Sequence, residues 1–346
     1  MYFAIRADAS TRIGLGHVSR QSDIANDLRD KGIRTIFFTR SPLHVLPFIQ
    51  KRSHAEIVVL PKDKNGSLNI LKRYLSEKKP KGIMIDLLRE DKDSDYTSLY
   101  REQKITIFST TDDPNPRDVD CDVQFCCNPH QSKRLYPKSS VFPKRYFGLR
   151  YFIINETFLT FRFFARSYQN KISNILVLFG GVNSIPAISI VLEAISLVTF
   201  HPTTTIIISP VEKGYSSLEK LAHRLGLTVH FLTSLSSQNI AASMKESDVL
   251  IGSAGNGAYE ASVIGTPFLA MNQVPRQNEN AAFLEERKAC INFGLYKQVK
   301  PSTLGMALER LFQEKLKRES MGKLAMKLVD GRGKERVVEI IRSYIS

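Results

Sequence analysis

Short apolar runs that alternate with helix-length stretches constrain this chain more than any other feature, because the alternation runs through the first half, lapses, and starts again. In the first half the runs are Tyr2 to Arg6, Thr35 to Thr39, Ile57 to Leu60, Gly82 to Asp86 and Ile105 to Ser109, with an amphipathic stretch from about Val18 to Lys31. In the second half Asn174-Ile175-Leu176-Val177-Leu178-Phe179 reads as a strand buried on both faces, followed by Thr204 to Ser209, Val229 to Leu232 and Val249 to Ile251. Helical stretches separate them near Ile185 to Leu197, Leu218 to Leu225 and Asn239 to Lys245, and another starts at about Gly257. Such spacing predicts parallel strands joined by crossover helices. The expected architecture is α/β, with two doubly wound domains over residues 1–160 and 171–325 facing each other across a cleft. The tail, 326–346, is expected to be helical, interrupted at Gly331-Arg332-Gly333, and to pack back near the first domain. A length of 346 residues suits two domains at roughly 100–200 residues each.

Lys and Arg number 49 against 34 Asp and Glu, a net charge of +15, which favours anionic partners. Between Pro129 and Lys171 nine Lys/Arg stand against the single acid Glu156, with eleven aromatic residues interleaved. No nucleic-acid motif accompanies the segment, so it reads as an interdomain connection; basic and aromatic residues together also suit a weak peripheral membrane contact. The chain opens on a strand-like run rather than a basic region and an apolar stretch, and no apolar run approaches the ~18 residues of a membrane span. Cys121, Cys126, Cys127 and Cys290 form no paired metal or redox spacing and read as reduced thiols of a cytoplasmic protein.

In folds of this class ligands lie outside the carboxyl ends of the strands, so the segments after the first and later strands carry the chemistry. The first is Arg6-Ala7-Asp8-Ala9-Ser10-Thr11-Arg12-Ile13-Gly14-Leu15-Gly16-His17-Val18-Ser19-Arg20. Gly14 and Gly16 allow close approach of backbone to ligand, and a helix start attracts anions. His17 at that mouth is the candidate base, kept neutral by the positive helix end. Nicotinamide binding is disfavoured, because Ser19 replaces the third small residue and the second strand ends in Thr39-Arg40 without an acid. The remaining histidines lack partners at ligand spacing, so neither metal nor cofactor is expected, and His130 is read as exposed.

The second segment, Val249-Leu250-Ile251-Gly252-Ser253-Ala254-Gly255-Asn256-Gly257-Ala258-Tyr259-Glu260, is a strand, a small-residue turn and a helix carrying an acid. Main-chain N–H groups at Gly252, Ser253, Ala254 and Gly255 can surround a diphosphate, while Glu260 can accept from ribose hydroxyls. Gly180 and Gly181 offer a second donor cluster. Arg276, Gln277 and Asn280 are candidates for sugar or phosphate, with helix capping the alternative for Gln277 and Asn280. Asp112 and Asp113, after the fifth run, and Asp86, after the fourth, are candidates for a sugar hydroxyl.

These segments carry a resemblance. The run from Arg6 to Arg20 resembles the signature of the family of the pseudaminic-acid-pathway UDP-sugar hydrolase (PseG) and the spore-coat polysaccharide protein SpsG. Tyr146-Phe147-Gly148-Leu149-Arg150, Phe179-Gly180-Gly181 and Asp330-Gly331-Arg332-Gly333-Lys334-Glu335-Arg336 are similar to further segments of it, and Gly265-Thr266-Pro267 through Gln277 to the corresponding part of GT-B enzymes such as MurG. The resemblance implies a GT-B-like fold of two Rossmann-type domains, UDP held by the second domain with Glu260 on the ribose, and a water placed by His17. It implies hydrolysis of a UDP-linked diacetamido-trideoxy-hexose, with Arg6, Asp8, Arg20, Asp86 and Asp113 near the sugar. The family hydrolase also uses a tyrosine where Leu88 stands and an asparagine near Gln277, where Arg276 precedes. Transfer to a polysaccharide acceptor, or nucleotide-sugar binding without turnover, therefore remain as alternatives.

Overall fold

A computed structural model describes residues 1–9, 16–41, 43, 46–87, 94–110, 120–131, 143–180, 184–209, 212, 214–233 and 235–346. They form two compact units: Met1–Asn155 with Gly331–Ser346, and Glu156–Asp330.

The first unit holds β1 (Tyr2–Ala7), α1 (Gly16–Asp30), β2 (Arg34–Thr39), α2 (Leu46–Arg52), β3 (Glu56–Val59), α3 (Lys64–Lys78), β4 (Gly82–Asp86), α4 (Ser94–Glu102), β5 (Thr106–Thr110), β6 (Val123–Cys126) and β7 (Lys144–Phe147). The strands are parallel and ordered β3-β2-β1-β4-β5-β6-β7. Central strands of a parallel sheet are covered on both faces, which is why β1 and β2 read as unbroken apolar runs: Phe3, Ala4, Ile5, Ile36, Phe37 and Phe38 are fully buried. The sequence does not reveal β6 and β7, which lie in or beside the basic aromatic segment; Lys144 and Arg145 occupy half of the four-residue β7 and hide its pattern.

The second unit comprises α5 (Glu156–Arg162), β8 (Asn174–Leu178), α6 (Ile185–Ile195), β9 (Thr203–Ile208), α7 (Ser216–Arg224), β10 (Val229–Thr233), α8 (Ser237–Glu246), β11 (Val249–Gly252), α9 (Asn256–Ile264), β12 (Phe268–Asn272), α10 (Pro275–Glu286), β13 (Cys290–Leu295), α11 (Pro301–Gln313) and α12 (Lys315–Leu328). Its parallel sheet runs β10-β9-β8-β11-β12-β13. Val177, Val191, Leu192, Ile206, Ile251, Leu269 and Leu308 lie in its main apolar core.

Two boundaries differ from the sequence expectation. The stretch 156–170 sides with the second unit because its arginines end helices there: Arg162 donates to the carbonyls of Val263, Met326 and Val329, and Arg166 to those of Met244, Lys245 and Ser247. Cations at helix C-termini satisfy orphan carbonyls and complement the helix dipole. Those two charges of the basic segment are thus spent internally, while Phe163 and Phe164 between them are exposed; 132–142 of the segment lie outside the described residues. At the other end α12 completes the second unit, and only α13 (Gly333–Ile345) belongs to the first, where Tyr344 packs edge-on against Phe108 and Lys334 pairs with Asp27 at 2.9 Å.

Each sheet has one place where the strand order reverses: between β1 and β4 in the first, and between β8 and β11 in the second. There the connections leave in opposite directions and open a crevice at the carboxyl ends.

Candidate active site

In the first unit the reversal point is filled by charged side chains. His17, Arg20 and Gln21 stand at i, i+3 and i+4 of α1, one helix face, and all three reach Asp86, the last residue of β4. His17 Nδ1 lies 2.7 Å from Asp86 Oδ1. Arg20 forks onto the carboxylate, Nη2 to Oδ1 and Nε to Oδ2, each at 2.6 Å, and Gln21 Nε2 donates to Oδ2 at 2.8 Å. Burial pushes the fully buried Asp86 carboxyl up, yet the Arg20 guanidinium and the His17 imidazole outweigh it and hold the group well below the usual carboxylate range. An ionised carboxylate only accepts, so Nδ1 carries a proton, and in the neutral ring the lone pair then lies on Nε2.

This corrects two expectations. Asp86 is sealed from any sugar and acts on His17 instead. Arg20, bonded to Asp86 and 3.2 Å from His17 Nδ1, is committed to the same carboxylate, its side chain 14% exposed. The nearest formal charges at His17 are therefore a carboxylate and a guanidinium, rather than the helix end alone. The His17 side chain keeps 10% of its surface exposed.

Arg6 and Asp8 are likewise spoken for. Arg6 is fully buried and forks onto Asp8 at 2.6 and 2.8 Å. Asp8 also accepts from the Arg40 N–H at 2.5 Å and from Thr39 Oγ1 at 3.3 Å, tying the exit of β1 to that of β2. Burial pushes the Asp8 carboxyl up, but the Arg6 contacts, with help from Arg40 and Thr39, bring it below its ordinary value. Arg6 is sealed, while the Asp8 side chain, 12% exposed, is already committed to Arg6, Thr39 and the Arg40 N–H. Gly16, exposed, opens α1; Gly14, Leu88, Asp112 and Asp113 lie outside the described residues. His130 is buried rather than exposed.

In the second unit the reversal point is built mostly of backbone. The turn Ser253–Gly255 joins β11 to α9, whose N-cap Gly255 has no side-chain cap. The N–H groups of Asn256 and Gly257 meet no acceptor among the described residues, as expected for the first turn of a helix. A Cβ on Gly180, just past β8, would find nothing within 4 Å, and one on Gly255 only Gln277 Nε2 at 3.8 Å. These two glycines border open space. Gly252 has another reason to be glycine: a Cβ there would collide with the Leu178 carbonyl, so its place reflects strand packing. Gly181 lies outside the described residues.

Glu260, one turn into α9, is half-buried and makes no hydrogen bond or ion pair among the described residues. Burial alone pushes its carboxyl up to about 7. A desolvated, unpartnered carboxylate is costly, which marks it as waiting for a donor. Gln277 caps α10, its Oε1 accepting from the N–H groups of Gln273 at 2.9 Å and Val274 at 3.2 Å. Asn280, expected at the ligand, is 4% exposed and donates from Nδ2 to the Ala254 carbonyl at 3.2 Å. Arg276 is exposed and has no ion pair among the described residues.

Comparison with known proteins places this geometry. Residues 203–337 match the glycosyltransferase family 28 C-terminal domain. The spore coat polysaccharide biosynthesis protein SpsG of Bacillus subtilis is 25% identical over 99% of this chain and 98% of its own length. The UDP-2,4-diacetamido-2,4,6-trideoxy-beta-L-altropyranose hydrolase of Campylobacter jejuni is 24% identical over 83% of this chain and 97% of its own. These matches make the chain similar to the PseG and SpsG proteins. A further relative, the Methanocaldococcus jannaschii protein MJ1062, is 27% identical over 81% of this chain, a match that spans 57% of that protein's length. Among solved structures, Acinetobacter baumannii MurG superposes with a TM-score of 0.66 at 14% identity, and a Rickettsia africae glycosyltransferase with 0.74 at 11%, each over at least 98% of both chains. The fold is thus the GT-B fold, as the resemblance implies.

Sequence reasoning missed Gln21, and gave Asp86 the wrong partner. Gln21 carried a signal, since His17, Arg20 and Gln21 share a helical face opposite a strand that ends in aspartate. Among the described residues no cluster of three His, Cys, Asp or Glu could hold a metal, and no described helix is long and apolar enough to cross a membrane.

Proposed function

We propose that this protein, similar to PseG and SpsG, hydrolyses a UDP-linked 2,4-diacetamido-2,4,6-trideoxy-hexose, releasing UDP and the free sugar. The second unit supplies the nucleotide mooring. The free N–H groups of Asn256 and Gly257 suit the diphosphate, and Glu260 suits the ribose hydroxyls, whose donors it lacks. The first unit supplies the base. The lone pair on His17 Nε2 takes the proton of a water as its oxygen bonds to the anomeric carbon. The C–O bond to phosphate breaks, and its electron pair leaves with UDP, whose charge the main-chain donors stabilise. Asp86 stays ionised and steadies the imidazolium.

The observation that carries the reading is the 2.7 Å contact of His17 Nδ1 with a sealed, ionised carboxylate, an arrangement that leaves one defined nitrogen for proton transfer. The test is UDP release from UDP-sugars of this class in the absence of any acceptor, run in ¹⁸O-labelled water. Label in the sugar and loss of turnover in His17→Asn are expected; unchanged turnover in that variant overturns the assignment. The family 28 match favours one alternative: the same nitrogen could deprotonate an acceptor hydroxyl, in which case UDP appears only when an acceptor is added.

A further inference from the structure

Beneath the proposed diphosphate seat lies a lattice of asparagines whose direction is fixed by the backbone. The Ala254 N–H can only donate, so the atom of Asn272 that faces it at 3.0 Å is Oδ1. Asn272 Nδ2 must then point the other way, and there it meets three acceptors, Asn292 Oδ1 at 3.0 Å, the Gly294 carbonyl at 3.3 Å and, more weakly, Asn278 Oδ1 at 3.5 Å. With its oxygen so used, Asn292 turns Nδ2 to Asn278 Oδ1 at 3.1 Å. Independently, the Ala254 carbonyl can only accept, so Asn280 presents Nδ2 to it at 3.2 Å. Both polar groups of one residue are therefore gripped by carboxamides, one from the end of β12 and one from α10.

Asn272 is fully buried and Asn280 is 4% exposed; neither is placed to touch a ligand. What they fix is the turn itself. Ala254 sits two residues before Asn256, and a change in its peptide orientation would swing the first turn of α9 and its two unsatisfied N–H groups. No other side chain donates to or accepts from the backbone of 253–257 among the described residues. A turn of small residues is otherwise soft, and donors aimed at a charge stabilise it most when they need no reorganisation.

We infer that Asn272 and Asn280 are positioning residues that hold the Ala254 peptide groups so that the N–H groups of Asn256 and Gly257 stay aimed at the diphosphate of a nucleotide. The inference rests on the nucleotide reading of this turn, and it predicts a loss confined to the phosphate part of the ligand.

Calorimetric or NMR titration of the full chain with UDP and with uridine separates the two parts. In Asn272→Ala and Asn280→Ala the UDP affinity should fall about tenfold or more, while uridine affinity stays within about twofold. Asn292→Ala removes one of the three acceptors of Asn272 Nδ2, together with the bonds of Asn292 to Asn278 and the Gly294 N–H, and should weaken UDP by about threefold; being half-buried, it serves should the other variants not fold. Melting curves confirm that each variant is folded. Equal losses for UDP and uridine, or no loss for either, overturn the inference while leaving the nucleotide site standing. An unaltered protein that binds no UDP overturns both.

Discussion

The two reversal points occupy the same topological place in two sheets of the same kind, yet they are furnished in opposite ways. Between β1 and β4 stand side chains that satisfy one another: Asp86 takes four hydrogen bonds from three residues, and Arg6 and Asp8 close on each other. Between β8 and β11 the donors are main-chain N–H groups, and the Glu260 carboxylate has no partner among the described residues. The first arrangement fixes a protonation state. The second leaves vacant capacity. Proton transfer needs the former and anchoring of a polar ligand needs the latter, so the contrast agrees with the proposed division of labour.

The largest effect that could break this contrast is on turnover. His17→Asn should lower kcat by at least about 100-fold, and Asp86→Asn by a similar factor, with UDP affinity unchanged within about twofold in both. A parallel loss of UDP affinity would mean that the first unit also anchors the nucleotide.

Next in size is Glu260→Gln, for which UDP affinity should drop about tenfold with kcat held within a few-fold. The acidity of Glu260 sharpens the test. Burial raises its carboxyl to about 7, and ribose hydroxyls need the ionised form as acceptor. UDP affinity should therefore weaken as pH falls below 7, by up to about tenfold per pH unit, and Glu260→Gln should be flat across that range. The same raised value makes ionisation a burden on the unliganded fold as pH climbs from the ordinary glutamate range through 7. Glu260→Gln should thus melt above the parent at pH 8, with the gap closing toward pH 4.5. A dependence of the opposite sign would remove Glu260 from the site.

The smallest effect belongs to Arg276. It is exposed and unpaired among the described residues, so Arg276→Ala should raise KM about threefold at low salt and by less at high salt, as expected of a screened surface charge. A loss as large as that of Glu260→Gln would show a direct grip on the phosphate.

How much of this was legible in the sequence follows from what each feature depends on. Strands buried on both faces have to be apolar throughout, so β1, β2, β4, β8 and β11 could be read directly. Strand β7 could not, because an edge position tolerates Lys144 and Arg145. His17 and Glu260 were visible as residue types at helix starts. Their surroundings were not: that Asp86 serves His17 depends on β4 pairing with β1, a contact 69 residues apart in the chain. Gly252 misled for a similar reason, since the carbonyl it accommodates belongs to Leu178 on the neighbouring strand. The residue types of Asn280 and Gln277 suit a ligand or the backbone equally, and here Asn280 donates to the Ala254 carbonyl while Gln277 accepts from the Gln273 N–H.

The most direct measurement is the tautomer of His17, read from its ring nitrogens by ¹⁵N NMR of the labelled protein at neutral to mildly alkaline pH. A proton on Nδ1 and a lone pair on Nε2, reversing or blurring in Asp86→Asn, is the expected result. A proton resident on Nε2 in the unaltered protein would contradict the assignment of that nitrogen as the base.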